Sequence, residues 1–223
     1  AGLAGLFIGF GIMLIFVISG LLGKSPATKI VMGVAFPVAL SLVVALGVEL
    51  FTGNNMVGFA GFLNRAITGK ELIELWIFSY IGNLIGSIIG GALFVFSGVA
   101  TPQIVDAFVK AGVAKTTAPA GQLFFRGILC NFLVCLAVLS GIKLKEETAK
   151  LIMVFWCLFV FITCGFEHSV ANMTLFTIAN LLNGAKVTLG GCAYNLLFVT
   201  LGNIVGGGFI GFAYYYIGRE KNK

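Results

Sequence analysis

Six apolar stretches make up most of the chain, at about residues 3–22, 30–63, 72–98, 118–141, 149–182 and 188–217, separated by polar or charged clusters. A helix needs about 20 apolar residues to cross the hydrocarbon of a bilayer, and each stretch is long enough. Within lipid every backbone polar group must be paired inside the protein, which leaves helices and closed barrels. The short alternating strands of a barrel are missing, so the expected fold class is all-α with six transmembrane helices. A soluble domain carries roughly 25% charged residues. This chain of 223 residues is 59% hydrophobic and 10% charged, and it reads as one membrane domain over 1–223.

The chain opens at Ala1 directly on an apolar stretch, so the natural N-terminus is expected to lie upstream. No basic segment precedes this stretch and no small-residue cleavage site follows it, so it reads as helix one and not as a signal peptide. Net charge is +6. With the N-terminus inside, Arg65, Lys70, Lys143, Lys145, Lys150, Arg219, Lys221 and Lys223 fall on the cytoplasmic side, and Lys24, Lys29, Lys110, Lys115 and Lys186 on the other. The excess points to a multi-pass inner-membrane (plasma-membrane) protein with both termini cytoplasmic. The basic balance suits contact with the inner leaflet, not nucleic acid. Cys130, Cys135, Cys157, Cys164 and Cys192 form no C-x-x-C pair and read as small packing residues.

The chain also repeats itself. Glu49-Leu50-Phe51-Thr52-Gly53-Asn54-Asn55-Met56 in helix two parallels Glu167-His168-Ser169-Val170-Ala171-Asn172-Met173 in helix five. Gly82-Asn83-Leu84-Ile85-Gly86 in helix three parallels Gly202-Asn203-Ile204-Val205-Gly206 in helix six, at nearly the same distance from the carboxylate. Three spans per copy is an odd number, so the second copy, about 118–217, must lie inverted relative to the first, about 1–98. Polar and small residues in the middle of helices two and five predict that both are broken there, with Thr52, Asn54 and Ser169 as N-caps of the second halves. Such irregular backbone is tolerated at this depth only where protein buries it or water reaches it. Glycines four apart, at 82/86/90, 202/206 and 207/211, predict close helix packing.

Ionisable residues inside a membrane are costly and point to function. Glu49, Glu167, His168 and Arg126 are those well inside the spans, away from their ends. His168, the one histidine, stands at the break of helix five; it either ties loop backbone together or holds and donates a proton at a pore centre. Glu49 and Glu167 occupy equivalent positions and are expected to support the breaks by accepting backbone hydrogen bonds. Lys115, just before helix four, either anchors that helix at the interface or draws anions into an outer vestibule. Phe161 lies two turns before His168, so both can face one lumen. Arg126 either pairs with Glu49 or Glu167 or is exposed at the interface.

The segments 49–55, 127–138 (Gly-Ile-Leu-Cys-Asn-Phe-Leu-Val-Cys-Leu-Ala-Val), 165–173 (Gly-Phe-Glu-His-Ser-Val-Ala-Asn-Met) and 202–208 (Gly-Asn-Ile-Val-Gly-Gly-Gly) resemble the formate/nitrite transporter family, over essentially the whole chain. The resemblance implies an aquaporin-like fold in a homopentamer, one anion path per protomer and no cofactor. It implies that Leu50, Phe51 and Thr52 form the loop of broken helix two, and that Leu50, Phe51 and Phe161 are apolar constrictions. His168, Thr52, Lys115, Asn172 and Asn203 would form the polar pore set; Lys115 keeps the family's spacing of twelve residues before Gly127. Hydrosulfide, formate and nitrite are the substrates implied, and the sequence looks most like the hydrosulfide-channel branch. In the mechanism this suggests, Lys115 attracts the anion and His168 shares or donates a proton, so that a nearly neutral species passes Phe161 and Leu50. Pure anion flow past a hydrogen-bonding His168 is the alternative. A water or glycerol pore shares the inverted plan, but the paired Asn-Pro-Ala signature is absent. A haem or metal enzyme would call for more than one histidine.

Overall fold

The computed structural model describes residues 1–183 and 186–220, with no side-chain placement for Arg219 and Glu220. Lys221, Lys223 and the Arg219 side chain, counted above for orientation, lie outside the described residues. The elements are α1 (Gly2–Leu22), α2 (Thr28–Ala35), α3 (Val38–Ala45), α4 (Phe51–Leu63), α5 (Gly69–Phe96), α6 (Pro102–Thr116), α7 (Ala120–Lys143), α8 (Glu147–Cys164), α9 (Ser169–Asn183) and α10 (Leu189–Glu220). Among the described residues there is no strand, and six helical segments are long and apolar enough to cross a bilayer: α1, α2 with α3, α5, α7, α8 and α10.

Helices two and five are broken as expected. Each break opens on a glycine in the left-handed region, Gly47 at φ 60° and Gly165 at φ 74°. Only glycine adopts that conformation without a Cβ penalty, and in both copies it stands two residues before the carboxylate. Helix two carries a second interruption: Pro37, which has no amide hydrogen to donate, separates α2 from α3.

The two copies pack alike. In each, the first long helix lies on the third, α1 on α5 and α7 on α10. The second half of each broken helix lies against the third helix of both copies: α4 on α5 and α10, α9 on α10 and α5. Glycine permits the close approach. A Cβ on Gly5 would collide with the Asn83 carbonyl, one on Gly202 with the Phe124 carbonyl, and one on Gly86 with the Gly2 carbonyl. The expected small-residue faces are therefore helix contacts.

α6 was not anticipated, because its 15 residues are too short and too polar to read as a span. Pro102 stands in its first turn, where a missing N–H costs nothing. It buries Ile104, Phe108 and Val109 and carries Lys115 in its last turn. On the outside of the bundle, Ile73, Ile77, Phe78, Ile81, Ile85 and Ile88 of α5 are exposed. A ridge of that size suits lipid or another apolar surface.

Candidate functional site

Each broken helix is held by an asparagine from a distant helix. Asn83 Oδ1 accepts the Phe51 N–H at 2.9 Å, and its Nδ2 donates to the Glu49 carbonyl at 3.0 Å. Asn203 repeats this in the other copy: Oδ1 accepts the Ser169 N–H at 2.9 Å, and Nδ2 donates to the Glu167 carbonyl at 3.0 Å. One amide side chain thus bridges the carbonyl two residues before each half-helix and the first N–H of that half-helix. These groups would otherwise be unpaired at a depth where each costs about 1–3 kcal/mol. The N-caps differ from those expected. Thr52 and Asn54 lie inside α4, whose N-cap Leu50 has no side-chain bond, and Ser169 is the first residue of α9. Local sequence could not show this, since the capping group comes from another helix.

Glu49 and Glu167 also differ from expectation. They accept from side chains: Asn54 Nδ2 meets Glu49 Oε2 at 2.8 Å, and Asn172 Nδ2 meets Glu167 Oε2 at 2.7 Å. Glu167 Oε2 in addition takes Lys115 Nζ at 2.7 Å, with side-chain exposures of 23% for the lysine and 4% for the glutamate. Lys115 is therefore an inserted counter-ion and not an interface anchor. Asn195 closes the group, accepting from Asn172 Nδ2 at 2.8 Å and donating to the Lys115 carbonyl at 2.9 Å.

At the centre, His168 Nε2 and Thr52 Oγ1 are 3.0 Å apart. His168 Nδ1 accepts the N–H of Ala171, three residues on, at 3.2 Å. A ring nitrogen that accepts a hydrogen bond carries no proton, so in the neutral ring the proton is on Nε2 and is donated to Thr52 Oγ1. The Thr52 hydroxyl hydrogen is then free for another acceptor. Asn131, midway along α7, fixes the Thr52 backbone from behind by donating to its carbonyl at 3.1 Å; it also donates to Asn55 Oδ1 at 3.1 Å and to the Asn203 carbonyl at 2.6 Å.

Two cavities approach this centre, one reaching His168 and the other Leu50. One, of about 430 Å³, is lined by Phe161, His168, Asn172, Lys115, Lys24 and Lys29 among others. The other, of about 310 Å³, is lined by Leu50, Gly53, Glu49, Asn54 and the Gly141 end of α7. His168 and Leu50 are the equivalent residues of the two copies, so an imidazole ends one cavity and a hydrocarbon ends the other. The Phe161 and His168 rings are 5.9 Å apart, side by side in one cavity despite the break between them. Phe51 lines neither cavity: its ring packs edge-on against Tyr80 at 4.9 Å and faces a groove between α5 and α10. It is therefore not brought together with Leu50 and Phe161, because consecutive residues on a helix point to different sides.

Arg126 pairs with neither glutamate. Its guanidinium donates to Gln122 at 2.9 Å on the same helix, while its backbone carbonyl accepts the Glu167 N–H at 3.2 Å. Asn55, Asn131 and Asn195 are not among the site residues the sequence points to, although a lone amide in an apolar span is a signal of its own. Asn131 and Asn195 belong to no repeated motif, and Asn55 was overshadowed by its neighbours.

The formate/nitrite transporter family model matches residues 1–217. The chain is 41% identical to the nitrite transporter NirC of Escherichia coli over 226 aligned positions, covering all of this chain and 84% of that protein. It is 36% identical to a probable formate transporter of Methanothermobacter thermautotrophicus, covering 96% and 85%. Among solved structures, an FNT family ion channel superposes with a TM-score of 0.91 at 41% identity, covering 97% of this chain and 87% of the other. A pentameric formate channel with formate bound gives 0.85 at 30%, covering 97% and 94%. Extent, identity and fold agree: the chain belongs to the formate/nitrite transporter family.

Proposed function

We propose that the chain passes small monovalent anions, formate, nitrite or hydrosulfide, across the cytoplasmic membrane, along one path per protomer of a homopentamer. Both termini face the cytoplasm, and the repeats of about 1–98 and 118–217 form one channel unit over 1–223. The observation that carries this reading is the His168–Thr52 pair set between two cavities, where a histidine-bonded hydroxyl is fixed as a donor between apolar Phe161 and Leu50. The named substrates of the relatives, nitrite and formate, support the same class.

The physical problem for an anion is desolvation, which costs several kcal/mol in an apolar constriction even after relaxation. The Thr52 hydroxyl replaces lost water by donating to the passing oxyanion or hydrosulfide, while the Nε2–H of His168 donates to the Thr52 oxygen and so turns that hydroxyl hydrogen towards the path. Glu167 would repel it, but the Lys115 ammonium and the Asn172 amide both bond its carboxylate, so its charge is answered locally. The bond from Ala171 to Nδ1 favours the neutral ring and so favours His168 as a donor over His168 as a resident acid. Asn172 and Asn203 act by holding Glu167 and the start of α9, and Glu49 acts through Asn54.

The test is flux of formate, nitrite and hydrosulfide into proteoliposomes. Wild type is expected to carry at least one of them saturably. His168→Leu, which has no donor, is expected to lose that flux, while His168→Gln, which keeps a donor but cannot be protonated, retains it. Loss of pH dependence in His168→Gln would instead favour a proton relay. Passage of water or glycerol with none of the anions would replace the reading with a neutral-solute pore.

A further inference from the structure

The cavity that ends at His168 has three lysines in its lining, Lys24, Lys29 and Lys115, and no carboxylate. Lys115 is committed: its ammonium is 2.7 Å from Glu167 Oε2, so the pair is nearly neutral when viewed from the mouth. Lys24 and Lys29 are exposed on the turn from α1 to α2 and its first residues, and among the described residues neither has an ion-pair partner. The opposite cavity has Glu49 in its lining and no cation. The two mouths therefore differ in sign. Uncompensated charge at the rim of a cleft with low-dielectric walls focuses its field into the cleft and raises the local concentration of counter-ions.

Resting on the anion-path reading above, we infer that Lys24 and Lys29, and not Lys115, are the capture residues that concentrate anions at the His168 end of the path. Lys115 serves the interior, where it neutralises Glu167; Lys24 and Lys29 serve the entrance. They act through space, without a fixed geometry. Their contribution therefore depends on charge and not on side-chain shape, and it fades as salt screens it.

The experiment is tracer exchange of radiolabelled formate in proteoliposomes with equal, low formate on both sides. At equilibrium exchange the low-concentration permeability of a path is the same in both directions, so the vesicles need not be oriented. Wild type, Lys24→Gln/Lys29→Gln and Lys24→Arg/Lys29→Arg are compared at about 0.01 M and about 1 M supporting salt, where the Debye length is about 30 Å and about 3 Å. The glutamine pair is expected to exchange at least about threefold more slowly at low salt and to approach wild type at high salt, while the arginine pair follows wild type throughout. Equal exchange and equal salt dependence in wild type and the glutamine pair, with wild type active, would overturn the capture role alone. Absence of formate, nitrite and hydrosulfide exchange in wild type would overturn the anion-path reading, and the capture role with it. Unchanged gel-filtration elution of both variants shows that the exposed substitutions leave the fold intact.

Discussion

The imidazole of His168 and the hydroxyl of Thr52, 116 positions apart in the chain, meet at 3.0 Å where the two broken helices converge. Neither residue is held there by the other. The Thr52 backbone is fixed through Asn131, and the loop before α9 is fixed through Asn203, so the contact joins two separately anchored donors.

From this follows a clean separation of flux from folding at position 52. Thr52→Val keeps the shape and the backbone bonds but removes the hydroxyl, so anion flux should fall by about tenfold or more, a loss of ~1.4 kcal/mol or more at the barrier. Melting temperature should shift by only a few degrees. Thr52→Ser should restore most of the flux, and stopped-flow uptake checks both.

Lys115 and Glu167 should behave as a coupled pair. Lys115→Met strands a buried carboxylate and Glu167→Gln strands an ammonium, and breaking a buried pair from one side costs about 3–5 kcal/mol. Each single variant should be strongly destabilised and poorly conducting. The double variant should recover much of the stability, which a double-mutant cycle by thermal unfolding in detergent would measure.

The asparagine braces should be equivalent across the repeat. Asn203→Leu leaves the Ser169 N–H and the Glu167 and Gly127 carbonyls without their partner, and Asn83→Leu does the same to the Phe51 N–H and the Glu49 carbonyl. Each should lower stability by about 2–4 kcal/mol and abolish flux. A much smaller loss in one than in the other would show that the two copies do not bear equal strain.

Close helix contacts should fail at the smallest added group. Gly202→Ala places a Cβ against the Phe124 carbonyl, where α7 and α10 touch through backbone, and yields should fall with no change in the pore lining. Gly190→Ala, with no atom within 4 Å of the added Cβ, serves as the harmless control in the same expression assay.

Much of the architecture was legible because lipid permits so few solutions: span length gave the helices, and the Glu…Asn…Asn spacing gave the repeat and its two breaks. His168 and Lys115 were legible as polar groups out of place. What stayed hidden was direction and partnership. The sequence could not say that Phe51 turns towards Tyr80, since both sides of the helix there are apolar. Nor could it say that Asn83 and Asn203 act as caps, since the groups they bind lie 32 and 34 residues away or more. The sequence leaves Lys115 as either an interface anchor or an entrance charge because Glu167 comes 52 residues later, and only the fold brings the two together.

Leu50 and His168 occupy matching slots in the two copies, and the frame around each slot is built from main chain and a distant asparagine. The amide bond that His168 takes from Ala171 has no counterpart at Leu50, whose half-helix forms without it. A framework of this kind does not require its two occupants to resemble each other. One slot is greasy and the other polar, while the bracing around them is alike. Exchanges at these two positions therefore offer a route to new solute preferences that leaves the assembly of the bundle untouched.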